Sequence, residues 1–217
     1  MTSEIIILRQ LSKLSNFLIF LIPALLLSTY NLSIVPSFIF CILSLVFLIE
    51  SLGKVVLGKF EYVFIFFIVL YFFTALPNVF FENFRGRVLD APIRFLLFIP
   101  IFILFLSGKI KFEIKYLAIG VVVGSFLASL VAGYDWFILN KERVDGFTFS
   151  INFGYLSASL FALSLSFLNL YKNNYWKLLI LFSTLLSLFC VLSTGTRGAY
   201  IAIPVILFIY LFIFNIV

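Results

Sequence analysis

An all-α, polytopic transmembrane helix bundle of about eight spans, with both termini cytoplasmic, is the fold class this sequence predicts. Three observations lead there. Of its 217 residues, 64% are hydrophobic and only 11% charged, and the mean hydropathy is +1.25. Soluble domains average about 45–50% apolar and about 25% charged residues, so a water-soluble fold has too little polar surface to cover this chain. Apolar runs of helical, membrane-crossing length recur along it, separated by brief polar stretches. Lysine and arginine are distributed unequally between alternate connections.

Taken in order, the spans fall at Leu14–Thr29, Ile34–Ser51, Phe60–Pro77, Pro92–Leu106, Tyr116–Gly133, Ile151–Leu170, Leu178–Ser193 and Ala199–Ile216. The first resembles a secretory signal in hydropathy. It lacks a small-residue cleavage site and further spans follow at once, so it reads as an uncleaved helix. Pro92 suits the first turn of the fourth span. Pro100 and Pro204 fall inside spans and are expected to kink them. Gly120 and Gly124 form a G-x-x-x-G pair in the fifth, a spacing that lets helix backbones approach closely. The longest connections are Asn78–Ala91 and Tyr134–Ser150. Residues 1–217 therefore form a single transmembrane domain with no room for a soluble one.

Several chemistries are excluded. The sequence has no histidine, which removes imidazole acid–base catalysis and imidazole metal ligation from this stretch. Cys41 and Cys190 lie inside apolar runs and read as packing residues. The formal charge of +6 is scattered over short loops and forms no basic stripe, so nucleic acid is not an expected partner.

With the N-terminus inside, the cytoplasmic connections hold Arg9, Lys13, Lys54, Lys59, Lys109, Lys111, Lys115, Lys172 and Lys177. The outer connections hold Arg85, Arg87, Arg94, Lys141, Arg143 and Arg197. Nine cations against six favours this orientation. The type of cation separates the sides more sharply: eight of the nine inner cations are lysine and five of the six outer ones arginine. Arginine grips phosphate through a planar fork. The outer arginines either hold a phosphorylated ligand or pair with Glu82, Asp90, Asp135, Glu142 and Asp145.

Three outer segments stand out. Arg85–Arg94 leads into the fourth span, with Asp90 near its start, where a carboxylate favours the helix dipole. Arg94 lies about one turn into the membrane, where a charge needs a partner or a polar cavity. Lys141–Ser150 mixes both charge signs with aromatics, and reads either as a solvated interfacial loop or as part of a site. Ser193-Thr194-Gly195-Thr196-Arg197-Gly198-Ala199 is a short turn between two long apolar spans. Arg197 there needs an anionic partner, either a ligand or an internal acid. Thr194 and Thr196 add hydroxyl donors beside a glycine-permitted backbone.

The run from Glu142-Arg143 through two spans to Thr194-Gly-Thr-Arg197-Gly-Ala resembles the core of the O-antigen ligase and polymerase family. That family shows an arginine-bearing outer loop, two spans, then a Ser/Thr-x-Ser/Thr-Arg-Gly/Ala turn entering another span. Asp90-Ala-Pro-Ile-Arg94-Phe-Leu-Leu-Phe-Ile-Pro resembles the family's entry to its fourth span. The resemblance covers essentially the whole chain, and the Thr-Gly-Thr-Arg197-Gly turn is its sharpest part.

The resemblance implies an inner-membrane glycosyltransferase. Such an enzyme moves a glycan from undecaprenyl pyrophosphate to lipid A-core on the periplasmic face; a polymerase uses another glycan unit as acceptor. It also implies that Arg197, Arg143 and Arg94 bind the pyrophosphate, with Thr194, Thr196 and Asp90 in support, and that no nucleotide, metal or other cofactor is needed. Family members carry about a dozen spans and a large periplasmic loop bearing a catalytic histidine. This chain lacks both features, so it reads as the N-terminal part of a longer protein, holding donor-binding residues without a catalytic one and inactive alone. A transporter or flippase subunit is the alternative of another class; it calls for charges at mid-membrane depth, whereas here they cluster at span ends.

Overall fold

The computed structural model describes residues 2–29, 34–51, 57–81, 87–107 and 110–216. Over these residues the chain is all-helical, with eight α-helices and one π-helical turn. They are α1 (Thr2–Leu25), α2 (Ile34–Ser51), α3 (Lys59–Phe81), α4 (Arg87–Leu106), α5 (Ile114–Gly133), the π-helical turn Tyr134–Ile138, α6 (Ser150–Phe167), α7 (Asn174–Ser193) and α8 (Arg197–Ile216). Each of the eight apolar runs is a helix. Three helical stretches are long and apolar enough to cross a membrane: Ile114–Ile138, Ser150–Phe167 and Asn174–Ser193, with mean hydropathies of 2.0, 1.2 and 2.0. Shorter apolar helices cover Gln10–Leu25, Ile34–Phe47, Phe95–Leu106 and Arg197–Ile213. The protein is a membrane protein by this length and composition.

Helix starts depart from expectation by five residues or more in two places. The first helix begins at Thr2, so Arg9 and Lys13 are helical. The fourth begins at Arg87, which moves Pro92 out of the first turn. A proline at that position removes the hydrogen bond to the carbonyl four residues back. Arg94 then lies about 10 Å along the helix from its first residue.

The chain divides into two compact units, Met1–Ser15 with Phe38–Phe112, and Asn16–Ser37 with Glu113–Val217. Aromatic packing dominates the first. Between α3 and α4, Phe64 lies 4.9 Å from Phe102 and Tyr71 lies 5.5 Å from Phe95, ring centre to ring centre. Phe105 and Phe112 approach to 4.1 Å. The Ser12 hydroxyl donates to the Lys111 carbonyl at 2.8 Å.

The second unit buries small and polar residues beside an apolar core that includes Phe153, Leu160 and Ile180, and it is large and apolar outside. Its interior faces carry Gly120, Gly124, Ser125, Ala128 and Ala132 on α5, Ser157, Ala158 and Ser164 on α6, and Ser183, Thr184 and Ser187 on α7. Its exposed positions carry Phe126, Leu130, Phe182, Leu185, Ile201 and Phe208. Lipid supplies no hydrophobic drive between helices, so close backbone approach and interhelical hydrogen bonds take over. The Ser164 and Ser183 hydroxyls meet at 2.9 Å. The Gly120–Gly124 pair serves this packing: a Cβ at Gly120 would strike the Phe20 carbonyl oxygen, and one at Gly124 the Pro23 carbonyl oxygen.

Candidate functional site

In the second unit α6 leaves the Ser150 end and α7 returns to it at Ser193. The 18 residues of α6 span about 27 Å, close to the roughly 30 Å thickness of a hydrocarbon core. The two ends differ in their cations. Lys115, Lys172 and Lys177 flank the α5 start and the α6–α7 connection, where Lys115 pairs with Glu113 at 2.6 Å and Tyr171 stacks on Trp176. The other end carries Lys141, Arg143 and Arg197. Within this unit, the lysine–arginine contrast read from sequence is a contrast between its two ends.

At the arginine end the α5–α6 loop and the α7–α8 turn are bonded together. The Val144 N–H donates to the Ser193 carbonyl at 3.1 Å, and Val144 is fully buried. Arg143 donates from Nε to the Thr194 carbonyl at 3.1 Å and from Nη2 to the Gly195 carbonyl at 3.5 Å. The Thr196 hydroxyl donates to the Ser150 carbonyl at 3.1 Å. Gly195 has φ +63°, a left-handed residue just past the end of α7, where glycine pays no Cβ penalty. A Cβ there would also lie 3.3 Å from Arg143 Nε.

Arg143 and Arg197 occupy opposite electrostatic positions. Arg143 sits on the carbonyl end of α7, the negative pole of that helix. Two of its five N–H donors are spent on carbonyls, which leaves three on an exposed side chain. Arg197 is exposed and is the first residue of α8, the positive pole, where a cation is disfavoured. Among the described residues no carboxylate pairs with either arginine.

Glu142 is exposed, and two of the nearby acids, Asp145 and Asp135, pair instead with Lys141. Its ammonium lies 2.6 Å from Asp145 Oδ1 and 3.1 Å from Asp135 Oδ1. The hydrogen bond to Asp145 holds the Lys141 pKa above its ordinary value, with Asp135 adding to the effect. Asp135 is buried within the π-helical turn and its Oδ2 accepts the Gly146 N–H at 2.9 Å. Of the acids expected as partners of the outer arginines, Asp135 and Asp145 thus pair with the lysine.

The six site residues named from sequence are distributed as follows. Arg143, Thr194, Thr196 and Arg197 come together at this end. The Thr194 and Thr196 hydroxyls face inward, the first donating to the Val191 carbonyl at 2.8 Å and the second to Ser150, so they shape the turn. Asp90 and Arg94 are helical residues of α4, in the other unit, and their side chains lie outside the described residues, as do Glu82 and Arg85. Two further residues of this end have no motif in the sequence: Gly154, where a Cβ would come within 2.9 Å of Thr194 Oγ1 and 3.2 Å of Ala199, and Tyr155, whose hydroxyl packs on Gly198 beside Arg197.

A curated protein of Haemophilus influenzae, named only as an uncharacterized protein, is 30% identical to the chain over 154 residues. The match covers 70% of this chain and 38% of that protein, so the chain spans well under half the length of the relative it matches. No family model matches the chain, and no solved structure matches it.

Proposed function

We propose that this chain carries the donor-lipid site of an O-antigen ligase-like glycosyltransferase of the bacterial inner membrane. The whole protein would move a glycan from undecaprenyl pyrophosphate to lipid A-core on the periplasmic side. In this reading the eight helices are about eight spans, both termini are cytoplasmic, and the Arg143–Arg197 end faces the periplasm.

One observation carries the reading. Arg197 stands at the positive pole of α8 with no carboxylate paired to it among the described residues, while Arg143 is bonded to the adjoining turn with three donors left over. Two cations at one turn, one of them in an unfavourable helix position, are offset by an anion of more than one charge. A lipid pyrophosphate has that charge, and with the helices as spans it would lie at this end of them. In the transfer, the acceptor hydroxyl oxygen forms a bond to the anomeric carbon as the bond to the pyrophosphate oxygen breaks. The electron pair departs with the pyrophosphate, and the arginines stabilise the charge that grows there. One well-placed donor contributes about 2.7–4 kcal/mol to such a step.

The test is Arg197→Ala in the whole protein. Glycan transfer should be abolished with insertion intact, Arg197→Lys should restore only part of it because a point charge lacks the fork, and Lys172→Ala should change nothing. Normal transfer by Arg197→Ala would remove the pyrophosphate role. Removing a cation from a helix N-terminus should also raise stability, by about 0.3–1 kcal/mol, so a loss of activity cannot be laid to unfolding.

A further inference from the structure

Arg143 reaches the α7–α8 turn from a loop that has little regular structure of its own. Asn140 is left-handed at φ +48° and Gly146 at φ +56°, and these two bracket the segment that bears Arg143. Something must hold such a backbone in place. Asp135 bonds to both ends of the segment. Its backbone carbonyl accepts the Lys141 N–H at 3.1 Å. Its side chain pairs with the Lys141 ammonium through Oδ1 and accepts the Gly146 N–H through Oδ2. Asp145 closes the set through the same ammonium.

The location of Asp135 is costly. Its side chain is 6% exposed, and it sits at the C-terminal, negative end of a long apolar helix, where a carboxylate is disfavoured. The π-helical turn puts it there, and π-turns inside or at the end of α-helices concentrate at functional positions. Loop stability alone does not require a charge in that place, since a buried ion pair often contributes no more than an apolar substitute. A buried ion pair does fix one arrangement of the segment it ties.

We propose that Asp135 is the positioning residue of the anion site, acting only through Arg143. By clamping Lys141 and Gly146 it holds residues 141–146 in the one arrangement that lays Arg143 across the Thr194 and Gly195 carbonyls and leaves its remaining donors facing the ligand. The inference rests on the anion-site reading above.

The whole protein in lipid nanodiscs, titrated with undecaprenyl pyrophosphate, separates the two. Arg143→Ala should weaken binding by about 10- to 100-fold, the value of a charge-assisted hydrogen bond to an ionic ligand. Asp135→Ala should weaken it to the same extent, and the Asp135→Ala/Arg143→Ala double variant should bind no worse than Arg143→Ala alone. Asp135→Asn keeps an oxygen for the Gly146 N–H but loses the charge facing Lys141, so it should fall between wild type and Arg143→Ala. It also decides the matter if Asp135→Ala does not insert. Wild-type binding by the Asp135 variants alongside weak binding by Arg143→Ala would overturn the positioning role and leave the anion site standing. Losses that add in the double variant would also overturn it, since Asp135 would then act independently. Wild-type binding by both Arg143→Ala and Arg197→Ala would overturn the anion site and the positioning role together.

Discussion

The guanidinium of Arg143 caps the C-terminal end of α7, with Nε 3.1 Å from the Thr194 carbonyl oxygen. This contact ties a loop residue to a turn 51 positions away in sequence, and it gives Arg143 a structural duty that Arg197 lacks. The two arginines should therefore separate in stability measurements even where they agree in function.

Arg143→Ala should lower the stability of the chain by about 1.5–3 kcal/mol, the range for hydrogen bonds from a charged group. The Thr194 and Gly195 carbonyls lose a donor, and the negative pole of α7 loses its cation. Arg143→Lys should recover part of this, because one ammonium reaches one carbonyl well but not two. Thermal unfolding in detergent, compared with Arg197→Ala, checks the point. Equal destabilisation by the two alanine variants would mean that the poles of α7 and α8 do not govern these positions.

The orientation can be read by cysteine labelling, because Cys41 and Cys190 are both buried and contribute little background. A cysteine at Glu142, an exposed loop residue, should react with an impermeant reagent added to intact spheroplasts. One at Lys172, at the opposite end of α6, should react only after the membrane is opened. The reverse pattern would place the arginine end in the cytoplasm and remove the periplasmic donor site with it.

The helices were legible in sequence because apolar length is a strong signal that needs no tertiary information. The segregation of Arg143 and Arg197 from Lys115, Lys172 and Lys177 was legible for the same reason: it needs only a count along alternate connections. The pairing among these charges was not. Asp135, Lys141 and Asp145 meet because a π-helical turn ends α5 and two left-handed residues, Asn140 and Gly146, fold the loop back; the π-turn has no sequence pattern of its own, and Asn and Gly mark a turn without fixing which charges it brings together. A signal did exist. Asp135 is a lone carboxylate at the end of a long apolar run, and such a residue calls for a named partner. The inward turn of the Thr194 hydroxyl was hidden in the same way, since a hydroxyl beside a glycine reads equally well as a ligand donor or as a brace for the turn.

The glycines of α5 give the sharpest test of the packing. Gly→Ala inside a helix gains about 1 kcal/mol in propensity, so the sign of each substitution depends on what the new methyl meets. At Gly120 and Gly124 it meets backbone carbonyls of Phe20 and Pro23, which cannot move without shifting α1 as a whole. At Gly133 the nearest atom is Phe137 Cδ2 at 4.0 Å, an ordinary contact. Gly133→Ala should thus be neutral or stabilising by up to about 1 kcal/mol. Gly124→Ala should destabilise, with about 1–3 kcal/mol of overpacking exceeding the propensity gain. Gly198→Ala is the intermediate case: its methyl meets the Tyr155 hydroxyl, the far end of a side chain that can swing aside. Its cost should shrink when Tyr155→Ala is added, and no comparable relief is open to Gly124. Thermal unfolding of the four variants decides it. If Gly124→Ala matched Gly133→Ala, the close approach of α1 to α5 would be wrong.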